Sequence, residues 1–232
     1  MNSPDKVEVA APDESAPAAR LDDLRLDRAP LWEAILGMLA AGVLYAFLPE
    51  KLLIGPPWLL LVIEVVFLLP LIVTILFGRG LPRKFIRPLV FTVLGLLTLA
   101  LASGIVLLIA TLPTDKYATN LLRAAALLWC DNVIIFGLWY WQIDGGGPVK
   151  RLQSGHQAAD FMFPQQSPNN VSGWMPRFPD YLFLAFTGAT ALSPADTFPL
   201  TRPAKMLMML EAILSMTVIV LLAGRAVNII GG

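Results

Sequence analysis

The chain has 232 residues, of which 56% are hydrophobic and 15% are charged, and its formal net charge is zero. An average soluble domain has roughly 25% charged residues, so this composition excludes an ordinary soluble protein and predicts one that is largely covered by lipid. The neutral balance gives no reason to expect nucleic acid as a partner. A single histidine, His156, and a single cysteine, Cys130, exclude a Cys/His metal cluster and an internal disulfide.

The first 28 residues are rich in Pro, Ala and Asp and predict a disordered tail. No basic segment with an apolar core follows Met1, so we expect no cleavable signal peptide. Apolar segments then predict helices near 31–48, 58–77, 89–112, 119–141 and 206–229. Each approaches the roughly 20 residues that cross about 30 Å of hydrocarbon. The expected fold is an all-α polytopic membrane protein with about five transmembrane helices.

Prolines and basic residues add detail to the predicted helix boundaries and membrane orientation. Pro70 lies inside the second predicted helix and predicts a kink, and Pro88 predicts the start of the third helix. The connection between these two helices carries four basic residues, Arg79, Arg83, Lys84 and Arg87. Basic connections face the cytoplasm, so we expect this connection, the tail and the connection after the fourth helix to be cytoplasmic. The expected location is a cell membrane, the bacterial inner membrane.

The segment before the last helix predicts a second kind of element. Pro179 and Asp180 are typical of a helix start, and Pro194 stops a helix. A helix between them would be about 15 Å long, half a bilayer. We therefore expect a re-entrant half-helix, with a helix lying flat on the membrane as the alternative. The predicted organisation is a tail at 1–28, four transmembrane helices at 29–143, a polar loop at 144–177, and the half-helix with the last transmembrane helix at 178–232.

Ionisable side chains within the predicted helices are the first candidate site. Asp131 lies midway along the fourth helix beside Asn132, with Arg123 two turns earlier, and Glu64 lies in the second helix. A charge at membrane depth costs a few kcal/mol, so such residues are either functional or structurally paired. The functional interpretation is a proton or cation site. The structural interpretation is a contact with another helix, or an ion pair between Asp131 and Arg123.

The C-terminal fifth of the chain carries a further pattern. Its elements are aromatic residues in the short helix, two threonines, an acidic residue, a Pro-Thr return, and the segments MLEAILSM and GRAVNI. The residues are Tyr181, Phe183, Phe186, Thr187, Thr190, Asp196, Pro199, Thr201 and Glu211. In this order they resemble the pore module of the potassium-channel superfamily. The stretch also resembles the corresponding end of an uncharacterised family of bacterial integral membrane proteins of unknown function.

The filter region departs from that superfamily. Potassium filters need TVGYG, whose glycines let successive carbonyl groups face the ion, whereas this chain reads TALSPAD. Potassium selectivity is therefore not expected. The resemblance implies a less selective pore for a cation or small solute, formed by a homo-oligomer because one half-helix cannot enclose a pore. Its candidate lining residues are Thr187, Thr190, Ser193, Asp196 and Glu211.

Three functional hypotheses follow from these patterns. The first is an oligomeric, channel-like permeation protein. The second is a proton-coupled transporter or transporter subunit centred on the intramembrane carboxyl groups. The third is a membrane scaffold in which these groups only fix helix packing. The sequence contains no catalytic constellation, phosphate-binding loop or metal motif, so we expect neither an enzyme nor a cofactor.

Overall fold

A computed structural model describes residues 29–77, 83–111, 118–153, 158–166, 174–190 and 196–230. The predicted tail at 1–28 lies outside the described residues. The helices are α1 (Ala29–Ala46), α2 (Trp58–Phe77), α3 (Arg83–Thr111), α4 (Ala118–Ile143), α5 (Pro148–Gln153), α6 (Phe178–Ala189) and α7 (Arg202–Ile230). Two short strands, β1 (Phe161–Met162) and β2 (Phe198–Pro199), pair in antiparallel fashion.

The all-α prediction is confirmed, and each predicted helix is present, with every bound except one within a few residues of the expected position. One boundary was wrong. Pro88 does not begin α3, which starts at Arg83 and continues through the proline. Long apolar helices can tolerate the lost backbone hydrogen bond when neighbouring groups compensate. Pro70 likewise lies inside α2, and the helix continues beyond it to Phe77.

Helix α4 is the centre of the bundle. It contacts α1, α3, α6 and α7, and its buried side chains include Phe136, Leu138 and Trp141. Helix α2 packs on α1 and α3, at the side of the bundle away from α6. Residues on α4 therefore lie between α1 and α3 on one side and α6 and α7 on the other.

The segment 144–177, predicted as a polar loop, contains ordered secondary structure in its described parts. Helix α5 follows three glycines, and strand β1 pairs with β2 just before α7 begins. Gly145, Gly146 and Gly147 all have positive φ angles, 59°, 82° and 103°, which side chains rarely allow. This tight turn sends the chain back onto the end of α4.

Three described helical stretches are long and apolar enough to cross a membrane: Phe85–Thr111, Asn120–Gly146 and Arg202–Arg225. Two shorter apolar helices, Trp32–Ala46 and Trp58–Val73, accompany them. The outer surface of these helices is rich in large apolar side chains. On α7 the exposed side chains include Met206, Met209, Leu210, Ile213, Met216 and Val220. Such a surface is unfavourable in water and is typical of a membrane-facing or partner-facing helix.

The contact between α4 and α6 depends on one glycine. A Cβ atom on Gly137 would lie 3.2 Å from the Cα atom of Leu182, so the two backbones approach closely. We expect Gly137→Leu to lower the free energy of unfolding by about 1–3 kcal/mol, because overpacking forces the helices apart. Thermal unfolding of the purified protein in detergent measures this effect. Gly95→Leu on α3 is the matched control, since a Cβ there meets no atom within 4 Å. Equal unfolding temperatures for the two variants would contradict the prediction.

Candidate functional site

Two buried carboxyl groups lie near each other inside the bundle. Glu64 on α2 and Asp131 on α4 are both 2% exposed, and they are close enough to interact electrostatically. Among the described residues, the two carboxyl oxygens of Glu64 have no hydrogen-bond partner, and the same is true of Oδ1 of Asp131. Gly42 on α1 makes room for this arrangement, because a Cβ there would lie 1.9 Å from Oε2 of Glu64. The pair is therefore enclosed by α1, α2 and α4.

Ionisation of such a pair is energetically unfavourable. Burying an unpaired carboxylate is unfavourable, and two adjacent carboxylates also repel each other. A bound proton or cation would remove both penalties, so the arrangement is chemically able to accept one. Within the described part of the chain, no group of three or more His, Cys, Asp or Glu is placed to hold a metal ion.

The neighbouring polar candidates take different positions. Asn132 is fully buried on α4, and neither its side-chain oxygen nor its nitrogen has a partner among the described residues. Arg123 is exposed, whereas Asp131 is buried. The electrostatic partner of Asp131 is therefore Glu64 rather than Arg123. The sequence singled out Glu64 and Asp131 but could not place them together.

Helix α6 enters the bundle only halfway. At its first residue, the Phe178 ring packs 5.5 Å from the Trp141 ring, near the C-terminal end of α4. At its last residue, the carbonyl of Ala189 accepts hydrogen bonds from the Ser215 hydroxyl and the Trp129 indole. Trp129 and Ser215 are close to the middle of α4 and α7. Helix α6 therefore runs from one end of the bundle to its mid-height.

The chain then returns to the end at which α6 began. The Leu200 amide donates to the Asp160 carbonyl at 2.8 Å, and the Thr201 hydroxyl donates to the Asp160 carboxylate at 2.7 Å. The Asp160 amide in turn donates to Asp144, which follows directly after α4. In the described residues, α6 therefore reaches mid-height in the bundle, and the chain after residue 196 lies again at the end where α6 began. Pro194 lies outside the described residues, and re-entry of α6 into a membrane stays a prediction.

Glu211 lies beside the inner end of α6. It is fully buried, and its Oε2 atom accepts a hydrogen bond from the hydroxyl of Tyr140 on α4. Its Oε1 atom has no partner among the described residues. Gly188 leaves room for the carboxyl group, since a Cβ there would lie 2.7 Å from Oε2. Glu211 therefore faces the interior of the single chain, between α4, α6 and α7.

The other candidate pore residues lie near the inner end of α6 or after it. The hydroxyls of Thr187 and Thr190 donate to carbonyls within their own helix, those of Leu184 and Phe186. Asp196 is exposed. Ser193 lies outside the described residues. Lining of a pore by these residues stays a prediction, because it depends on an assembly of several chains.

A buried polar cluster at the end of α4 was missed by sequence reasoning. Asp144 is 2% exposed, and its carboxylate accepts hydrogen bonds from the Tyr181 hydroxyl and from the amides of Asp160 and Phe161. The Arg151 guanidinium donates to the carbonyl of Asp144 at 2.8 Å and lies 3.7 Å from its carboxylate. The one available signal was the motif DGGGPVKR, which places an acid and a base around a glycine turn.

This cluster joins α4, α5, β1 and α6. The Arg151 guanidinium also lies 5.0 Å from the centre of the Tyr181 ring. Burial raises the pKa of Tyr181 well above its ordinary value, with Arg151 acting in the opposite direction. The tyrosine therefore stays protonated and donates to Asp144. The cluster fixes the start of the half-helix against the end of α4.

The fold and these sites define an all-α protein with three candidate membrane spans, a half-inserted helix and buried carboxyl groups between its helices. Comparison with known protein families, with curated proteins and with solved structures finds no match.

Proposed function

We propose that this chain is a multi-pass protein of a cell membrane, with α1, α2, α3, α4 and α7 spanning the bilayer and α6 re-entrant. The apolar outer surface and the three long apolar helices support this assignment. Irregular backbone at membrane depth is tolerated when protein surrounds it, as α4 and α7 do at Ala189. By the charge-based orientation, α6 enters from the cytoplasmic side, and the family resemblance favours the bacterial inner membrane.

Within this framework, the protein is a proton-coupled transporter or a subunit of one. The observation that carries this proposal is the pair formed by Glu64 and Asp131, which are buried together without hydrogen-bond partners at three of their four oxygens among the described residues. Intramembrane acids placed in this way are typical of proton relays. Because they come from different helices, a change in their protonation alters the electrostatic interaction between α2 and α4.

Reconstitution of the full chain into liposomes tests the proposal. A pH-sensitive dye trapped inside reports proton entry when an inward proton gradient is imposed and potassium with valinomycin clamps the membrane potential. We expect acidification faster than in protein-free liposomes. Acidification at the protein-free rate, with a folded and monodisperse protein, would contradict the proposal and favour the scaffold hypothesis.

A second function is supported by a different observation. Helix α6 ends at mid-height in the bundle, and α7 presents an apolar face on which further copies of the chain can pack. This arrangement favours the channel-like hypothesis, with a homo-oligomer passing a cation or small solute beside Asp196.

Neutralising Asp196 distinguishes this second function. If a ring of Asp196 carboxylates attracts cations, Asp196→Asn lowers cation flux by about tenfold, since each carboxylate near a pore mouth concentrates cations. The measurement is cation flux into liposomes at low ionic strength. Glu50→Gln, which also neutralises an exposed acid, is the matched control. Equal flux for both variants would contradict the channel-like function.

A further inference from the structure

The inner end of the half-helix is electrically unusual. The last carbonyls of a helix carry a partial negative charge, which an anion nearby disfavours. In α6 these carbonyls lie at mid-height in the bundle, and the buried carboxyl group of Glu211 packs directly against Gly188 in the last turn. The donors to the Ala189 carbonyl are the neutral groups of Ser215 and Trp129. No positive charge from these donors offsets an ionised Glu211.

Among the described residues, the groups that face Glu211 are neutral. From α4 it faces Tyr140, whose hydroxyl is a neutral donor, and from α6 it faces Gly188. Strand β2 contains no ionisable residue. The remaining ionisable residues that the structure describes on α6 and at the start of α7 are Asp180, Tyr181, Arg202 and Lys205. Tyr181 is bonded to Asp144, Asp180 caps the start of α6, and the two basic residues are exposed. On α3, Arg87 is exposed and lies over the Phe91 ring.

We propose that Glu211 is a proton-binding site that controls the docking of α6 onto α4 and α7. With a proton bound, Glu211 is neutral and fits between Tyr140 and Gly188. When it loses the proton, its charge is buried beside the negative end of α6, and the docked state becomes less favourable. The docked state is therefore favoured at low pH, and its stability falls as pH rises through the range in which Glu211 ionises. This inference does not depend on the Glu64–Asp131 proposal.

The accessibility of the inner end of α6 tests this inference. Ala189 is 2% exposed, so a cysteine there reacts with a water-soluble maleimide only when α6 leaves its site. The experiment uses Ala189→Cys with Cys130→Ser in the full chain in detergent micelles, across a series from mildly acidic to mildly alkaline pH. The same cysteine is measured with Glu211→Gln, which stays neutral. At each pH, the modification rate measured with Glu211 is divided by the rate measured with Glu211→Gln. This ratio cancels the pH dependence of the thiol's own reactivity.

We expect this ratio to be close to one at acidic pH and to rise with pH by up to about tenfold per pH unit, the limit for release of one proton. A ratio that stays close to one throughout overturns the inference. Ala41→Cys on α1, a fully buried position, reports global unfolding. An equal rise at Ala41 also overturns the inference, because the whole bundle would then be opening.

A second comparison covers the case in which Glu211→Gln does not fold. In that case the modification rate of Ala189→Cys is divided by that of Ala41→Cys, with Glu211 present in both variants, and this ratio replaces the first one. It must rise with pH, and a constant value overturns the inference. Proton flux through the Glu64–Asp131 pair is measured separately in liposomes, so failure of one proposal is distinguishable from failure of the other.

Discussion

Asp131→Asn is expected to abolish proton flux, lowering it by about a hundredfold or more, the scale on which a positioned proton-transfer group contributes. Asparagine has nearly the same shape as aspartate, but its side chain cannot take up and release a proton near neutral pH. Glu64 would then lose the nearby carboxyl group with which it interacts electrostatically. Dye acidification in liposomes measures the flux. The unfolding temperature should not fall, because Oδ1 of Asp131 has no hydrogen bond to lose within the described residues.

Asp196→Asn is the matched control, since Asp196 is an exposed acid outside the bundle interior. Loss of flux with Asp131→Asn and retention with Asp196→Asn would support the proton-coupled function. The reverse pattern would contradict it and favour the channel-like function. Glu64→Gln should reproduce the effect of Asp131→Asn, because the two carboxyl groups form one site.

Asp144→Ala is expected to lower the free energy of unfolding by about 3–5 kcal/mol, the cost of leaving a buried charge without its partner. The substitution removes the acceptor for the Tyr181 hydroxyl and for the amides of Asp160 and Phe161. It also leaves the buried Arg151 guanidinium without the nearby carboxylate. Thermal and denaturant unfolding of the purified protein in detergent measure the change.

Two comparisons make the result specific. Asp144→Asn keeps one oxygen that can accept from the backbone amides, so it should destabilise the protein less than Asp144→Ala. Glu50→Ala removes an exposed acid and should change the free energy of unfolding by no more than about 0.5 kcal/mol. An Asp144→Ala variant as stable as Glu50→Ala would show that the cluster does not hold α6 against α4.

Much of the helical architecture was predictable from local sequence. Long apolar runs predict helices because the backbone must satisfy its own hydrogen bonds in an apolar environment. The start of α6 was also predictable, since Pro179 and Asp180 favour a helix N-terminus, and the Asp180 carboxylate accepts the Arg177 amide at 2.7 Å. The start of α3 was not predictable, because Pro88 resembles a boundary and yet lies inside the helix.

The buried sites were predictable only in part. Glu64, Asp131 and Glu211 were recognisable one by one, because a charged residue in an apolar helix is rare. Their partners were not. Gly42 and Gly188 are ordinary small residues in the sequence, and their importance depends on which carboxyl group packs against each. Nothing in the local sequence around Tyr140 indicates that its hydroxyl donates to Glu211, which lies 71 residues further along the chain.

By itself, the sequence determined the apolar helices, the half-helix and the acids that need an explanation, because composition and periodicity are local properties of the chain. Only the tertiary structure decided that Glu64 lies near Asp131, that Asp144 accepts a hydrogen bond from Tyr181, and that α6 ends at mid-height beside Glu211. These contacts join helices far apart in sequence. They depend on how side chains of particular size fit together in the packed bundle, and no local pattern encodes that fit.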